Sequence, residues 1–226
     1  GGSVAITSGQ GVIFGALTSG STATLNAGDD VIGTSVTAAG NVAVNAGRNV
    51  NFGALQAGGN ATLYGNTTAG ILTVGGATIG GFLEARGAAL NFGNVTAGTD
   101  AILSSYNGGL TVGNVTAGDD IFLTVNGSFA NAATVSGAVQ TGTISTGGNA
   151  IIVSDLSSIT TQAVSAPVGV SVFVRGNANM GDIATTGNFS IGDSSQVFTF
   201  VPMYQPFGFG GSQTSTSGGA TLGMVT

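Results

Sequence analysis

The stretch FGNVTAGTDAIL at residues 92–103 is followed by VGNVTAGDDIFL at residues 112–123, so GNVTAG recurs after twenty positions. The same pattern, an apolar residue, a glycine, a short polar stretch and a second glycine, begins at residues 14, 32, 52, 74, 92 and 112. A repeat of about twenty residues is too short for helical repeats or propeller blades and indicates a short-coil solenoid. The L-x-x-L-x-L frame of leucine-rich repeats is missing.

Each repeat continues into a turn residue followed by apolar residues at alternate positions, which is the period of a β-strand. Glycine recurs every few residues and strong helix formers are scarce, so helices are not expected. A coil of about twenty residues accommodates three short strands and three turns. The sequence therefore predicts an all-β fold, a parallel β-helix. The turn residues that would stack into a structural ladder are Asn41, Asn60, Asp100, Asp120, Asn149 and Asn188.

Two physical reasons favour Gly, Asn and Asp at these corners. These residues tolerate the left-handed backbone conformation of a tight turn. Stacked strands also place equivalent side chains about 4.8 Å apart, so an Asn can bond to the next coil. A second corner of the same kind is expected at Asp30 and Asn49.

The amino-acid composition argues against several classes of protein and of functional site. The chain has no Cys, His, Trp or Lys, only three Arg against nine acidic residues, and a net charge of -6. Only 5% of residues are charged, whereas about a quarter is usual. The 42% of hydrophobic residues argues against disorder, and no apolar run reaches the length of a membrane helix. Neither a nucleic-acid partner nor membrane insertion is expected.

The repeats suggest a β-helix shaft over residues 1–195, regular at 3–125 and looser at 126–195, with about eleven coils in a rod of about 50 Å. The repeats at residues 141 and 180 are predicted to enclose two coils with insertions, SAPVG at 165–169 being one insertion loop. Residues 196–226 are predicted to form a C-terminal cap, connector or linker. Gly1 and Gly2 replace an initiator Met and no signal peptide follows, so we expect a processed product or a fragment.

Four stretches resemble the repeats of filamentous-haemagglutinin-type exoproteins, the adhesins of two-partner secretion: AGDDV (27–31), AGRNV (46–50), AGTDAIL (97–103) and AGDDIFLTVNGS (117–128). The family's amino-terminal secretion domain is not recognisable. The resemblance implies a right-handed β-helical shaft, extracellular or on a bacterial cell surface. It also implies a role in adhesion, aggregation or biofilm matrix.

Two acidic doublets raise the question of catalysis or metal binding. Asp29 with Asp30, and Asp119 with Asp120, stand at turn positions that Asn occupies in other coils. The calcium-solenoid frame G-G-x-G-x-D is not matched, and the doublets belong to different corners. Turn chemistry is the favoured interpretation, with no metal and no cofactor.

Two other classes of function compete with a structural role. A polysaccharide-degrading β-helix needs a strong base beside clustered acids. Arg48, Arg86 and Arg175 are expected in separated coils beside no acid cluster, so we predict no enzyme. An ice- or crystal-binding solenoid would present a hydroxyl row. The threonines in equivalent positions are Thr18, Thr37, Thr78, Thr96 and Thr116, and Gln56 interrupts them.

The favoured function is a non-catalytic structural or adhesive shaft that polymerises head-to-tail or laterally. Host or neighbouring cell surfaces, or a polysaccharide, are further expected partners. An aromatic segment near the C-terminus and an outward apolar stripe are the predicted self-association sites. They comprise Phe198, Phe200, Tyr204, Phe207 and Phe209 in the segment, and Ile102, Phe122 and Ile151 in the stripe.

Overall fold

The computed structural model describes residues 1–125, 137–154, 157–192 and 220–226. Within these ranges the chain forms 24 strands in two sheets and no helix. The ten-stranded sheet contains β1 (Val4–Ser8), β3 (Ala23–Ala27), β5 (Val42–Ala46), β7 (Ala61–Tyr64), β9 (Leu83–Gly87), β11 (Ala101–Ser105), β14 (Ile121–Val125), β17 (Asn149–Ser154), β20 (Gly169–Val174) and β23 (Asn188–Gly192).

The fourteen-stranded sheet holds the remaining strands. Its members are β2 (Val12–Ser19), β4 (Val31–Ala38), β6 (Val50–Ala57), β8 (Ile71–Ile79), β10 (Ala89–Ala97), β12 (Leu110–Val112), β13 (Val115–Ala117), β15 (Val139–Thr141), β16 (Ile144–Thr146), β18 (Ile159–Thr161), β19 (Val164–Ser165), β21 (Ala178–Met180), β22 (Ile183–Ala184) and β24 (Ala220–Leu222).

All pairings between strands are parallel and join equivalent residues of successive coils. Val4 pairs with Ala23, nineteen positions later, and Leu83 pairs with Ala101 after eighteen. Over the described residues the chain is therefore a parallel β-solenoid of about nine turns with about 19 residues per coil, whereas about eleven coils were expected from the full length.

Each coil has three faces. A short strand forms one face, and a long strand bends in the middle to form the other two. In β2, Val12 and Leu17 are both buried although five positions separate them, so the inward alternation shifts phase near Gly15. From residue 110 onward the two halves are separate strands, such as β12 and β13.

The core is a stack of apolar side chains that alternate with outward ones. One column runs through equivalent positions of the short strands: Leu25, Val44, Leu63, Ala85, Leu103, Leu123, Ile152 and Val172. Every member of this column is fully buried. Because a coil has few interior residues of its own, it buries them mainly against the neighbouring coils.

Glycine is needed at the corners for close approach rather than for an unusual backbone conformation. No described residue has a positive φ, so the expectation of a left-handed backbone conformation at the turns is wrong. A Cβ on Gly53 would lie 2.6 Å from the carbonyl oxygen of Thr34 in the preceding coil. The corner glycines Gly75 and Gly93 meet the preceding coil in the same way. A side chain at such a corner would push the two coils apart.

The later coils are more regular than expected. Val139 pairs with Ile159 after twenty positions, and Ile159 pairs with Ala178 after nineteen. The two coils between the repeats at 141 and 180 therefore carry no insertion, and residues 165–169 form an ordinary corner between β19 and β20. The long interval lies earlier, where Ile121 pairs with Ala150 after 29 positions.

Part of the predicted C-terminal segment belongs to the rod. Strand β24 pairs with β21, and Val225 forms a bridge with Ile183. Among the residues that the structure describes, no helix is long and apolar enough to cross a membrane.

Candidate functional site

The predicted turn ladder is built from side-chain oxygens that accept backbone N–H groups of the next coil. Asn41 Oδ1 accepts the N–H of Asn60 at 2.8 Å, and Asn60 Oδ1 accepts the N–H of Phe82 at 3.2 Å. Phe82 thus occupies the next position and interrupts the Asx row. The contact satisfies a backbone donor at a corner, where no ladder partner exists.

The row resumes in the later coils. Asp100 Oδ1 accepts the N–H of Asp120 at 3.1 Å, and Asp120 Oδ1 accepts the N–H of Asn149 at 2.7 Å. Gly169 pairs with both Asn149 and Asn188, so it separates these two residues by one coil. The ladder therefore consists of two bonded segments plus the separate Asn188.

The second corner is also bonded, and a third exists that sequence reasoning missed. Asp30 Oδ1 accepts both the N–H of Asn49, at 3.1 Å, and its Nδ2–H, at 2.9 Å. At the third corner, Asn94 Oδ1 accepts the N–H of Asn114 at 3.0 Å, and Asn114 Oδ1 accepts that of Thr143 at 2.9 Å. The signal was present in the sequence, as the Asn of each GNVTAG copy.

The first acidic doublet forms an ion pair with Arg48. Arg48 Nη2 lies 2.9 Å from Asp30 Oδ2, and Arg48 Nε lies 3.4 Å from Asp29 Oδ1. The hydrogen bond from the Asn49 backbone is the main cause that holds the pKa of Asp30 below its ordinary value. Burial opposes it, and the hydrogen bond and charge of Arg48 add to the lowering. The expectation that Arg48 stands beside no acid group is therefore wrong.

The second doublet lies at a different corner and joins a third carboxylate. Carboxylate oxygens of Asp100, Asp119 and Asp120 lie within 4.8 Å of one another. The negative charge of Asp120, followed by burial and the charge of Asp100, raises the pKa of Asp119. Sequence reasoning placed Asp100 next to Asp120 in the turn ladder but did not count it with the acidic doublet. The oxygens are close enough for one cation to contact all three.

The outer surface of the ten-stranded sheet, here called the short-strand face, carries two outward rows. The first row runs through Thr62, Glu84, Ile102, Phe122 and Ile151, and the second through Tyr64, Arg86, Ser104, Thr124 and Val153. The three apolar residues of the predicted stripe are therefore adjacent in register. Each of them is half-buried. In the second row, Ser104 is only 9% and Val153 only 2% exposed, so that row is closed at β11 and again at β17.

A polar cluster adjoins this apolar stripe. The Tyr64 hydroxyl donates to Glu84 Oε2 at 2.8 Å, and Arg86 Nη2 forms an ion pair with Glu84 Oε1. The guanidinium carbon of Arg86 lies 5.8 Å from the centre of the Tyr64 ring. Burial, and then the bond to Glu84, raise the pKa of Tyr64, so the phenol stays protonated at neutral pH. Arg86 thus pairs with one acid group, Glu84, and not with a cluster of acids.

This cluster is unusual for its position. Among the described residues, Glu84 and Arg86 are the only charged residues within strands, and every other charged side chain lies at a turn or corner. Arg86 Nε is buried and has no hydrogen-bond acceptor within the described chain. The side chains best suited to specific contacts, namely the Glu84–Arg86 pair and Tyr64, thus lie on the short-strand face.

The second halves of the long strands form another face, here called the threonine face. Its outward row is continuous in register: Thr18, Thr37, Gln56, Thr78, Thr96, Thr116, Ser145 and Ser165. A shallow depression of about 390 Å³ lies beside the row where Gln56, Gly76, Thr78 and Asn94 meet. The two serines extend the predicted row by two coils.

The remaining predicted association residues, Phe198, Phe200, Tyr204, Phe207 and Phe209, lie outside the described residues. Comparisons with protein-family models, with curated proteins and with solved structures found no match to this chain.

Proposed function

We propose that this chain is a non-catalytic structural and adhesive shaft, a subunit of an extracellular or cell-surface fibre that acts in adhesion, aggregation or biofilm matrix. Its partners are other copies of itself, and cell surfaces or polysaccharides. Within this proposal the chain is a member of the filamentous-haemagglutinin-type exoproteins. The four repeat stretches that begin at residues 27, 46, 97 and 117 carry that resemblance.

One observation supports the proposal above the others. Along the described coils, the strands carry a single charged pair, Glu84 with Arg86, and the rest of their outward surface is built from small polar and apolar residues. An uncharged, regular, elongated surface suits repeated weak contacts along its length. A compact catalytic site would instead gather several titratable groups in a cleft.

The charged groups that contact other residues stabilise the fold. Asp30, Asp100 and Asp120 each accept a backbone N–H from the following coil. Glu84 is neutralised by Arg86 and also accepts the Tyr64 hydroxyl. We therefore propose no catalytic role for these residues. A screen for depolymerisation of acidic and neutral polysaccharides tests this part, and turnover would overturn it.

Binding of the purified chain to surfaces tests the adhesive part. We expect elongated particles or filaments by negative-stain electron microscopy, and retention on cells or polysaccharide-coated beads that increases with chain concentration. A chain that stays monomeric and binds no surface at high concentration would contradict the proposal.

The threonine face supports a second candidate, binding to ice or another crystalline surface. Its hydroxyls repeat at the spacing of parallel strands, about 4.8 Å, with Gln56 as the sole exception from Thr18 to Ser165. Threonine is also a favourable strand residue that stacks on itself, which explains the row without a ligand. Thermal hysteresis of a concentrated solution distinguishes this candidate from the first.

A further inference from the structure

We propose that the short-strand face pairs two copies of this chain side by side, with the rods parallel and Glu84 of each copy facing Arg86 of the other. This pairing deepens the proposed function and rests on it, because it identifies the lateral contact of the fibre.

The composition of this face is that of a protein interface. Tyr, Phe and Arg are enriched at the centres of interfaces, whereas Ser, Ala and isolated charges are depleted. Tyr64, Arg86, Ile102 and Phe122 lie together here on four successive strands, β7 to β14. The long-strand faces expose Ile13, Ile32 and Ile71 but otherwise carry mainly Thr, Asn, Ser and Gln in outward positions, and their described strands hold no charged residue.

The charge geometry selects a second copy in one orientation. Glu84 and Arg86 lie two positions apart on β9, in different outward rows. A two-fold axis that runs along the rods, between the two faces, exchanges the two rows at every coil. Each Glu84 then meets Arg86 of the other copy, so the same patch serves both partners, as an isologous contact requires.

The antiparallel arrangement lacks this complementarity. A two-fold axis perpendicular to the rods keeps each row opposite itself. Glu84 would then face Glu84, or an apolar residue such as Ile102 or Phe122, according to where the axis lies. Like charges in contact, or a carboxylate against apolar groups, oppose association. Glu84 and Arg86 already pair within one chain, and only the parallel arrangement sets this pair opposite charges of the other sign.

Neutrality of the face permits close approach although the chain has a net charge of -6. The described carboxylates other than Glu84 lie at corners, at the margins of the faces or beyond them. In the parallel pair, Phe122 faces the half-buried Thr124 of the other copy, which follows it on the same strand, and Ile102 faces the row position of the buried Ser104. The Arg86 side chain is 37% exposed, so its guanidinium can contact Glu84 of that copy as well as its own.

Charge reversal tests the pairing. In analytical ultracentrifugation of the full chain, we expect a concentration-dependent dimer that Glu84→Arg and Arg86→Glu each weaken by at least about tenfold in Kd. The two single variants mixed in equal amounts should dimerise again. The double variant Glu84→Arg with Arg86→Glu should dimerise by itself. Rescue in both cases excludes loss of folding as the cause.

The relative orientation of the two rods can be tested by cross-linking. Because the chain contains no cysteine, a single introduced cysteine gives one reactive site per copy. Thr24→Cys places one thiol on β3, toward one end of the face. A short bismaleimide should cross-link two copies through this thiol, since parallel rods bring both together, whereas antiparallel rods separate them by several coils. Thr160→Cys, on a long-strand face, is the control and should give no cross-link.

Three results would overturn the pairing: a wild-type chain that is monomeric at every concentration, a mixture of folded single variants that stays monomeric, or a dimer that does not cross-link at Thr24→Cys. Adhesion or filaments that persist in both single variants would also overturn the pairing while leaving the proposed function intact. Rescued dimers that bind no surface would support the pairing and overturn the proposed adhesive function.

Discussion

The side-chain oxygen of Asn94 accepts the backbone N–H of Asn114 at 3.0 Å, so the Asn of one GNVTAG copy bonds to the same Asn of the next. The repeat therefore records a physical contact between coils. The side chain satisfies a backbone donor at a corner, where the strand ladder is interrupted.

This contact should have a measurable local effect. Asn94→Ala removes the acceptor and leaves the Asn114 N–H without its partner, which should lower the free energy of unfolding by about 0.5–1.5 kcal/mol. Hydrogen exchange at the Asn114 amide should accelerate first. Asn94→Asp keeps an oxygen in place and is the matched control. Equal acceleration in both variants would argue against the hydrogen bond as the cause.

Corner glycines should differ according to the space around them. An added Cβ at Gly93 meets the carbonyl of Gly75, whereas one at Gly15 meets nothing within 4 Å. Gly93→Ala should destabilise the chain by about 1–3 kcal/mol, the usual cost of overpacking, and Gly15→Ala should be nearly neutral. Thermal unfolding followed by circular dichroism measures both. Similar losses for the two variants would contradict the close-approach explanation.

Core substitutions should act locally. Leu123 is fully buried between Leu103 and Ile152 of the adjoining coils. Leu123→Ala should cost about 2–5 kcal/mol in those coils, because a cavity remains. Coils several repeats away make no direct contact with the cavity. Hydrogen exchange should show protection lost around residues 101–152 and kept around residues 4–46; uniform loss would indicate one cooperative unit.

The Asp119 corner should gain stability on mild acidification. Its pKa is raised by Asp120 and by burial, so this contribution is fully present below the ordinary Asp pKa of about 4 and lost as pH rises through the higher folded value. Asp119→Asn should therefore stabilise this corner at pH 7, by less than about 1 kcal/mol because the site is exposed. The gain should vanish near pH 4.

The contribution of Asp30 to stability should depend on pH in the opposite direction to that of Asp119. Its pKa is lowered, so its contribution is present above the ordinary Asp pKa and lost as pH falls through the lower folded value. Asp30→Asn should destabilise the first coils at pH 7, and the difference from wild type should disappear in strong acid. If the two variants shift stability in the same direction at pH 7, the assignments are wrong.

Chelation should leave stability unchanged. Asp100 and Asp120 already use one carboxylate oxygen each to accept a backbone N–H of the next coil. The corner is thus held by hydrogen bonds, and the melting temperature with EDTA should equal that without it. Asp119→Asn is the control for any cation effect, since it removes one of the three carboxylates. A large shift with EDTA in wild type alone would show that a cation holds the corner.

Sequence periodicity predicted the strands because inward residues such as Leu103 and Leu123 repeat with both the strand period and the coil period. The contacts at the corners were harder to predict from the sequence. The bond between Asp100 and Asp120 agrees with the predicted stacking of turn residues. The bond from Asn94 was missed, because it runs to a residue twenty positions away, which local turn rules do not consider. The close approach at Gly53 likewise depends on Thr34 in the preceding coil. The long interval between Ile121 and Ala150 lies where the repeats were expected to loosen, after residue 125. The insertions expected between the repeats at 141 and 180 are absent from the pairing intervals there.

The parallel pairing of successive coils also determines how the rod responds to force. Backbone hydrogen bonds between coils, such as those joining Val42 with Ala61, run along the rod axis, while the covalent chain winds around it. Tension along the axis therefore acts on these bonds one coil at a time, so the rod would lengthen by successive release of single turns. Bending instead compresses stacked side chains that are already closely packed. The same geometry makes the shaft stiff in bending and extensible under sustained pulling.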